Sequence, residues 1–131
     1  TYNDLKTEIP FDNEMVVVMP LPGKVLAEAV KFSRAKSFLD PPESFGGFMQ
    51  ISDDMTFDNE TQTLTHIGGT PINPDKTYSV GILFVVLAGV DNITPLVEWA
   101  AENAHLMPID GCAEIGSPAK LLLVDYFSKA I

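Results

Sequence analysis

The residues of this chain that could contact a ligand stand where loops begin. Phe48 follows the pair Gly46-Gly47, and its aromatic ring offers a face on which a planar ligand can stack. Asp91 follows Gly89 at the end of a long apolar run, where a carboxylate can accept hydrogen bonds from ligand hydroxyls. Each residue also has a simpler interpretation, since Phe48 could be a core residue and Asp91 the acid of an ordinary turn. The pattern indicates binding chemistry at loops and leaves these two alternatives open.

Catalytic groups are sparse in the sequence. His66 and His105 belong to unrelated elements, and Cys112 has no histidine near it along the chain. The acidic run Asp53–Asp58 is similar to a calcium-binding loop but lacks its central glycine and its final glutamate. The chain has no nucleophile elbow and no phosphate-binding loop of the P-loop type. We therefore expect no catalytic residue, no metal site and no cofactor in this chain.

Length and charge limit the classes of protein to which the chain can belong. Its 131 residues have the size of one domain, so residues 1–131 are predicted to form a single domain in which residues 1–8 are a linker or the domain start. Apolar residues make up 46% of the chain without a run of membrane-spanning length, which predicts a globular domain with no membrane span. The net charge of −10 repels phosphate backbones and argues against nucleic-acid binding.

Few features bear on the cellular location. The glycosylation sequons at Asn59 and Asn92 are compatible with a secreted protein, although chance can explain at least one of them. The single cysteine, Cys112, excludes an internal disulfide and leaves the compartment open. Residues 1–6 lack the pattern of a signal peptide, and the sequence could equally begin after one or be a piece of a longer chain.

An apolar run from Thr77 to Asn92 forms the centre of the predicted fold, because it starts as a buried strand and ends in a Gly-Asp loop. Strand and helix patterns precede and follow it. The predicted strands are Glu14–Leu21, Phe48–Ser52, Met55–Phe57, Gln62–Ile67 and Thr77–Leu83, and the predicted helices are Lys24–Lys36 and two that start at Thr94 and Ser117. This order predicts an α/β domain with layers of mixed β-sheet flanked by helices, because the short middle connections prevent an all-parallel sheet.

Each predicted helix has an apolar face. In the first helix, this face consists of Leu26, Ala29, Val30 and Ser33. The second helix is predicted to begin with Thr94 as its cap and Pro95 at its first position. The face predicted for this second helix contains Leu96, Val97, Ala100, Ala101 and Ala104. The stripe predicted for the last helix contains Leu123, Val124, Phe127, Ala130 and Ile131.

Five motifs of the chain occur in the order found in one protein family. They are Ile9-Pro10-Phe11-Asp12-Asn13, the strand-Gly23-helix unit, Gly47-Phe48-Met49-Gln50-Ile51-Ser52, Gly69-x-Pro71-Ile72-x-x-Asp75-Lys76-x-Tyr78 and Ala88-Gly89-Val90-Asp91. From about Ile9 to the last helix, the chain resembles the C-terminal domain of the 5'-nucleotidase and UDP-sugar hydrolase family. The resemblance implies the fold of that domain, and it rests on the five motifs together because no single motif is diagnostic.

The family has two domains with different roles. A separate N-terminal metallophosphoesterase domain binds two metal ions and hydrolyses the phosphoester, and the C-terminal domain recognises the nucleoside. The resemblance therefore implies a substrate-recognition domain for a nucleoside or nucleotide, with divalent metal ions bound by a catalytic domain of the same protein and not by this chain. It also implies a hydrolase that is periplasmic, secreted or at the cell surface. A homodimer is left open.

The resemblance assigns a substrate-binding role to several residues. Phe48 matches the first of two aromatic residues that stack on the base, and Gly89 and Asp91 match the first glycine and the acid of the family's Gly-Gly-Asp-Gly loop. Arg34 is the candidate for an arginine near the ligand, and Phe84 for the second aromatic residue. The predicted substrate-binding residues are Phe48, Gln50, Phe84, Gly89, Asp91 and Arg34.

The chain departs from the family pattern in the same loop. Phe84-Val85 replaces an asparagine and the second stacking aromatic residue, Val90 replaces the second glycine, and Asn92 replaces the glycine after the acid. Phe84 can restore the stack only if the strand register shifts by one residue, which turns its side chain to the opposite face. Val85 and Val90 are therefore interpreted as packing residues. The alternative function is a degenerate domain that has lost nucleoside binding and serves as a structural or protein-interaction module.

Overall fold

The computed structural model describes residues 1, 3, 4, 7, 14–107 and 117–129. The motif Ile9–Asn13, Cys112 and the predicted stripe residues Ala130 and Ile131 lie outside the described residues. The strands are β1 Met15–Pro22, β2 Met55–Asp58, β3 Thr63–Ile67, β4 Thr70–Pro71, β5 Thr77–Leu83 and β6 Ser117–Pro118. The helices are α1 Gly23–Arg34, α2 Phe84–Leu87, α3 Thr94–Glu102 and α4 Ala119–Lys129.

The strands form two three-stranded sheets. In the first sheet the order is β5-β1-β6, and the ladder between β1 and β5 runs from Val16 opposite Leu83 to Pro22 opposite Thr77. In the second sheet the order is β2-β3-β4. The predicted α/β class is confirmed. All strand pairings among the described residues are antiparallel, so the parallel pairing that a mixed sheet also contains is not found there.

Helix α1 connects the two sheets and carries the centre of the core. It packs against α3, β1 and β3. Its predicted apolar face is confirmed, because the buried side chains in its interior are Leu26, Ala29, Val30 and Ser33. The local 3.6-residue period was sufficient for this prediction, and burial of one such large aliphatic side chain stabilises a fold by about 1.5 to 3 kcal/mol.

The strand predicted for Phe48–Ser52 is wrong, because this segment pairs with no strand in the described part of the chain. The Met49 N–H donates to the Ser33 hydroxyl at 3.2 Å, and the Met49 carbonyl accepts from Nε and Nη2 of Arg34 at 3.2 and 2.9 Å. Side chains at the end of α1 therefore satisfy the backbone groups that a strand partner would otherwise bond. The alternation of apolar residues that predicts a strand cannot show that the hydrogen-bond partners are side chains of a helix.

The start of α3 differs from the prediction. Ile93, not Thr94, is the N-cap residue, and no side chain caps this end. Pro95 lies in the first turn, as the second residue of the helix and not at the predicted first position. The buried face contains Leu96, Trp99 and Ala100, whereas Ala101 is exposed. Trp99 therefore belongs to the buried face although the prediction left it out, and the predicted Ala101 and Ala104 do not.

The last helix is also less buried than predicted. Ser117 and Pro118 pair with Val16 and Met15 as β6, and the helix begins at Ala119, two residues after the predicted start. No described residue of α4 is buried, and Phe127 from the predicted apolar stripe is 51% exposed. None of the described helices is long and apolar enough to cross a membrane.

Candidate functional site

Arg34, at the C-terminal end of α1, lies between two aromatic rings. Its guanidinium carbon is 4.7 Å from the ring centroid of Phe48 and 4.7 Å from that of Phe57. The same guanidinium donates two hydrogen bonds to the Met49 carbonyl. Phe57 in turn stacks on Phe38, with the ring centroids 6.2 Å apart. Helix α1, the segment after Gly47 and strand β2 are joined at this cluster.

Desolvation of Arg34 lowers the pKa of its guanidinium below the usual value. The group nevertheless stays protonated at neutral pH, because an arginine in a protein does not lose its charge. Phe48, which stacks on this cation, is 37% exposed. One side of the ring is therefore supported by a guanidinium while a third of the residue faces solvent, an arrangement that can receive a planar ligand.

The Gly46-Gly47 turn brings Asp91 to the segment that carries Phe48. Gly47 is buried, and a Cβ atom there would lie 2.8 Å from Cβ of Asp91 and 2.7 Å from Cζ of Phe45. Such distances are shorter than side-chain carbons tolerate, so only glycine permits this approach. Two predicted site residues that are 43 positions apart in sequence are thereby placed on adjoining loops.

The loop from Gly89 to Asn92 retains a glycine-like backbone. Gly89 has a φ angle of 97° and Asn92 has a φ angle of 50°. Asparagine is one of the few residues other than glycine that adopts this left-handed conformation readily, so the substitution at position 92 preserves the loop conformation. The Asn92 N–H donates to the Gly89 carbonyl at 3.1 Å and closes the turn around Asp91.

The valine interpretations have different outcomes. Val85 is half-buried but is not among the partly buried apolar residues that pack against the core, so its packing role stays a prediction. The interpretation of Val90 as a packing residue is wrong, because its side chain is 69% exposed. The Val90 side chain faces solvent, whereas its neighbour Asp91 lies against Gly47.

Phe84 and Gln50 lie apart from the pair formed by Phe48 and Asp91. Strand β5 ends at Leu83, so Phe84 begins the helical turn α2 and is partly buried against the core. A shift of strand register therefore does not apply to Phe84. Gln50 is exposed at the rim of a cleft of about 420 Å³ that is bounded by the segment Met49–Ser52 and by β5. The structure thus brings four of the six predicted residues together around the Gly46-Gly47 turn.

Sequence reasoning missed Ser33 and Phe57 as contributors to this region. Ser33 was predicted only as a core residue, although its hydroxyl also holds the Met49 N–H. Phe57 was predicted only as part of a strand, and its contact with Arg34 spans 23 positions. A serine on an apolar helix face is the one local signal available, because a buried hydroxyl needs a hydrogen-bond partner. No cluster of three or more metal-ligating side chains exists among the described residues.

Among solved structures, the NAD nucleotidase NadN of Haemophilus influenzae is similar to this chain in fold, with a TM-score of 0.61 and 17% sequence identity. The similarity covers 79% of this chain and 20% of the NadN chain. This chain therefore spans about a fifth of the length of that structure. No curated protein sequence matches the chain with significance.

The family comparison agrees with the fold. The model of the family described as the 5'-nucleotidase C-terminal domain matches residues 1–98, which are 98 of the 131 residues. This match includes the whole Gly46-Gly47 turn and the Gly89–Asn92 loop. The chain therefore belongs to the 5'-nucleotidase C-terminal domain family.

Proposed function

We propose that this domain binds the nucleoside part of a nucleotide and presents the phosphate to a separate N-terminal metal-dependent domain for hydrolysis. The observation that carries the proposal is the close approach of Asp91 to the Gly46-Gly47 turn, directly before the exposed ring of Phe48. An aromatic face and a carboxylate on adjoining loops match the two ends of a nucleoside, its base and its hydroxyl-bearing sugar.

The proposed roles follow from the contacts of each residue. Phe48 stacks on the base, and its guanidinium support fixes the ring plane. Asp91 accepts hydrogen bonds from sugar hydroxyls. Gly89 gives the loop the backbone conformation that holds this carboxylate in place. Stacking of one base on one aromatic ring contributes about 1 to 3 kcal/mol, so a domain with one stacking face binds a nucleoside weakly.

Gln50, Phe84 and Arg34 receive different roles in this proposal. The exposed amide of Gln50 can both donate to and accept from polar atoms of a ligand. Phe84 begins the helical turn that precedes the binding loop, and its carbonyl accepts from the Ala88 N–H at 3.0 Å. Arg34 acts through Phe48 and Met49 and is a positioning residue.

The second candidate is a degenerate domain with a structural or protein-interaction role. It is favoured by Val85, which stands where the resemblance places the second stacking aromatic residue and which is half-buried. The exposed Val90 favours it as well, because an apolar side chain stands in the binding loop where the resemblance places a glycine. Both observations concern only one side of the proposed site.

The parent protein is proposed to be a 5'-nucleotidase-like hydrolase with divalent metal ions in its catalytic domain. NadN is named as a nucleotidase that acts on NAD, and its chain is about five times as long as the similar part. A nucleotide substrate is therefore the proposed class for this protein too. We also propose a periplasmic, secreted or cell-surface location, in line with the two sequons.

Calorimetric titration with adenosine, uridine and their monophosphates tests the proposal. The 131-residue chain is expected to bind a nucleoside at high micromolar to millimolar concentration, and Phe48→Ala is expected to weaken binding by about tenfold, because one stack is lost. Asp91→Asn should also weaken it. Phe32→Ala removes another exposed phenylalanine of similar exposure, on α1, and serves as the matched control that leaves binding unchanged.

Circular dichroism verifies that each variant is folded. If neither nucleoside binds at millimolar concentration, the titration is repeated on a chain that includes the N-terminal domain, because the family resemblance implies that this domain supplies part of the pocket. Absence of binding there as well, or equal binding by the Phe48→Ala variant, would overturn the proposal in favour of the degenerate domain.

A further inference from the structure

The outer edge of strand β5 is unpaired in the described part of the chain. The first sheet has the order β5-β1-β6, so β5 bonds to β1 on one side only. An edge strand presents a row of free N–H and C=O groups that can pair with another extended chain. Strand β5 is seven residues long, which is enough to accept such a partner.

The direction of each backbone group follows from the ladder. The Gly23 N–H donates to the carbonyl of Lys76, the residue opposite it, at 2.8 Å, so this pair is a hydrogen-bonded pair. Because such pairs alternate in an antiparallel ladder, Tyr78, Val80 and Ile82 direct their backbone groups to β1. Ser79 and Gly81 therefore direct theirs away from β1. No hydrogen bond from a described residue reaches the N–H or C=O of either.

The cleft of about 420 Å³ lies along this free edge. One of its sides is the run Tyr78–Ile82, and the other side is the segment Met49–Ser52. One residue of a paired strand occupies about 160 Å³, from a rise of about 3.3 Å, a strand spacing of about 4.8 Å and a layer thickness of about 10 Å. The cleft therefore has room for about two to three residues of extended chain.

The lining of the cleft also fits an extended peptide. Its inner surface is apolar and includes Leu26, Val30 and Ile67, which can receive the side chains that point inward from alternate positions of a strand. Asp54 stands at the rim, is exposed, and accepts a hydrogen bond from the Ser52 hydroxyl. Together with the net charge of −10, this carboxylate favours an occupant with basic side chains at the outward positions.

We propose that this cleft binds an extended peptide segment that adds a strand to the free edge of β5, with apolar side chains directed inward and basic side chains near Asp54. The main-chain groups of Ser79 and Gly81 supply the hydrogen bonds of the new ladder. This mode of recognition gains affinity from the backbone and selectivity from the side-chain positions. Of the residues proposed for nucleoside binding, Gln50 lines the cleft, whereas Phe48, Gly89 and Asp91 do not, so the peptide site is separate from the proposed stacking ring and carboxylate.

The test uses the acetylated and amidated peptide Lys-Val-Lys-Val-Lys and the ¹⁵N-labelled 131-residue chain. Amide resonances of Ser79 and Gly81 are expected to shift on titration and to saturate at or below millimolar peptide. Ser79→Pro removes one outward N–H without touching the ladder to β1, and it should weaken binding by about tenfold. The matched control Ser79→Ala keeps the N–H and should bind within about twofold of the original chain.

A second titration keeps the proposal testable if Ser79→Pro does not fold. The charge-reversed peptide Glu-Val-Glu-Val-Glu should bind the unmodified chain at least about tenfold more weakly, because it meets Asp54 and a net negative protein. Absence of shifts at Ser79 and Gly81 with millimolar basic peptide overturns the proposal. So does equal binding of both peptides, or self-association of the chain through this edge, which would make a second copy the occupant.

Discussion

Arg34 is the single arginine of the chain, and its contacts argue for a positioning role. The resemblance placed it near the ligand, but its Nε and Nη2 are hydrogen-bonded to the Met49 carbonyl, and its plane lies between Phe48 and Phe57. A lysine could supply the charge at this position but not the planar fork that bonds one carbonyl twice while it stacks on two rings. The planar geometry of the Arg34 guanidinium therefore matters more at this position than its charge.

We predict that Arg34→Lys lowers the free energy of unfolding by about 1 to 2 kcal/mol, because one charge-assisted hydrogen bond and the stacking of the guanidinium are lost. Urea denaturation followed by circular dichroism measures the change. Lys31→Ala, on the exposed side of the same helix, is the matched control and should change stability by less than about 0.5 kcal/mol. Equal stability of Arg34→Lys and the original chain would contradict the positioning role.

Asn92 shows how a departure from the family pattern can preserve a loop. We predict that Asn92→Gly is close to neutral, whereas Asn92→Ala costs about 1 kcal/mol, because alanine is strained at a φ angle of 50°. Thermal unfolding of the two variants measures the difference. Similar melting temperatures for both would show that position 92 is not held in the left-handed conformation in solution.

At the scale of elements, local patterns were sufficient for some predictions and insufficient for others. The predicted face of α1 is confirmed because Leu26, Ala29, Val30 and Ser33 follow the period of one helix. Strand β5 was predicted with the bounds that the structure has, because a β-branched and aromatic run between turn residues is itself local information. The strand predicted for Phe48–Ser52 failed because its partners are side chains of α1, about 15 residues away, which no local pattern contains.

The features of the candidate site also divide into those that the sequence predicts and those that depend on packing between distant segments. Phe48, Gly89 and Asp91 were found from loop entries and from the family motifs, and these roles remain predictions until a ligand is titrated. The approach of Asp91 to Gly47 depends on packing between distant loops and was not visible in the sequence. The exposure of Val90 was missed for a related reason, since an apolar residue beside a glycine gives no indication of which way its turn faces.

Gly23 lies at the junction of β1 and α1, where the backbone packs closely against the loop that precedes β5. Its N–H donates to the Lys76 carbonyl, and a Cβ atom at this position would overlap the Asn73 carbonyl oxygen. We predict that Gly23→Ala destabilises the fold by about 2 to 3 kcal/mol, because backbone on both sides would have to move. Urea denaturation measures the loss.

Gly81→Ala is the matched control for Gly23→Ala, because the nearest atom to its added carbon is Cγ1 of Val16 at 3.8 Å. This variant should stay within about 0.5 kcal/mol of the original chain, or gain slightly from the lower entropy of the unfolded state. If both glycine variants were equally stable, the close contact between Gly23 and Asn73 would not exist in solution.

At the scale of the whole molecule, charge separates nucleoside recognition from phosphate recognition. The chain carries a net charge of −10, with 8 basic and 18 acidic residues. Its one arginine is engaged with Met49 and two rings. In the described residues, the proposed site therefore presents a carboxylate and an aromatic ring, with no free arginine beside them. The phosphate of a nucleotide is consequently left for the catalytic domain that we propose.

The last prediction compares adenosine with adenosine monophosphate at two salt concentrations. At about 0.02 M salt the monophosphate should bind the 131-residue chain more weakly than adenosine, because its phosphate carries about −1.5 to −2 charges near a strongly acidic protein. At about 0.5 M salt the Debye length falls to a few ångströms, so the difference should narrow. Adenosine is neutral, and its affinity serves as the control that stays nearly constant. Tighter binding of the monophosphate at low salt, weakening as salt is added, would instead show a cationic phosphate site on this domain and contradict the division between the two domains.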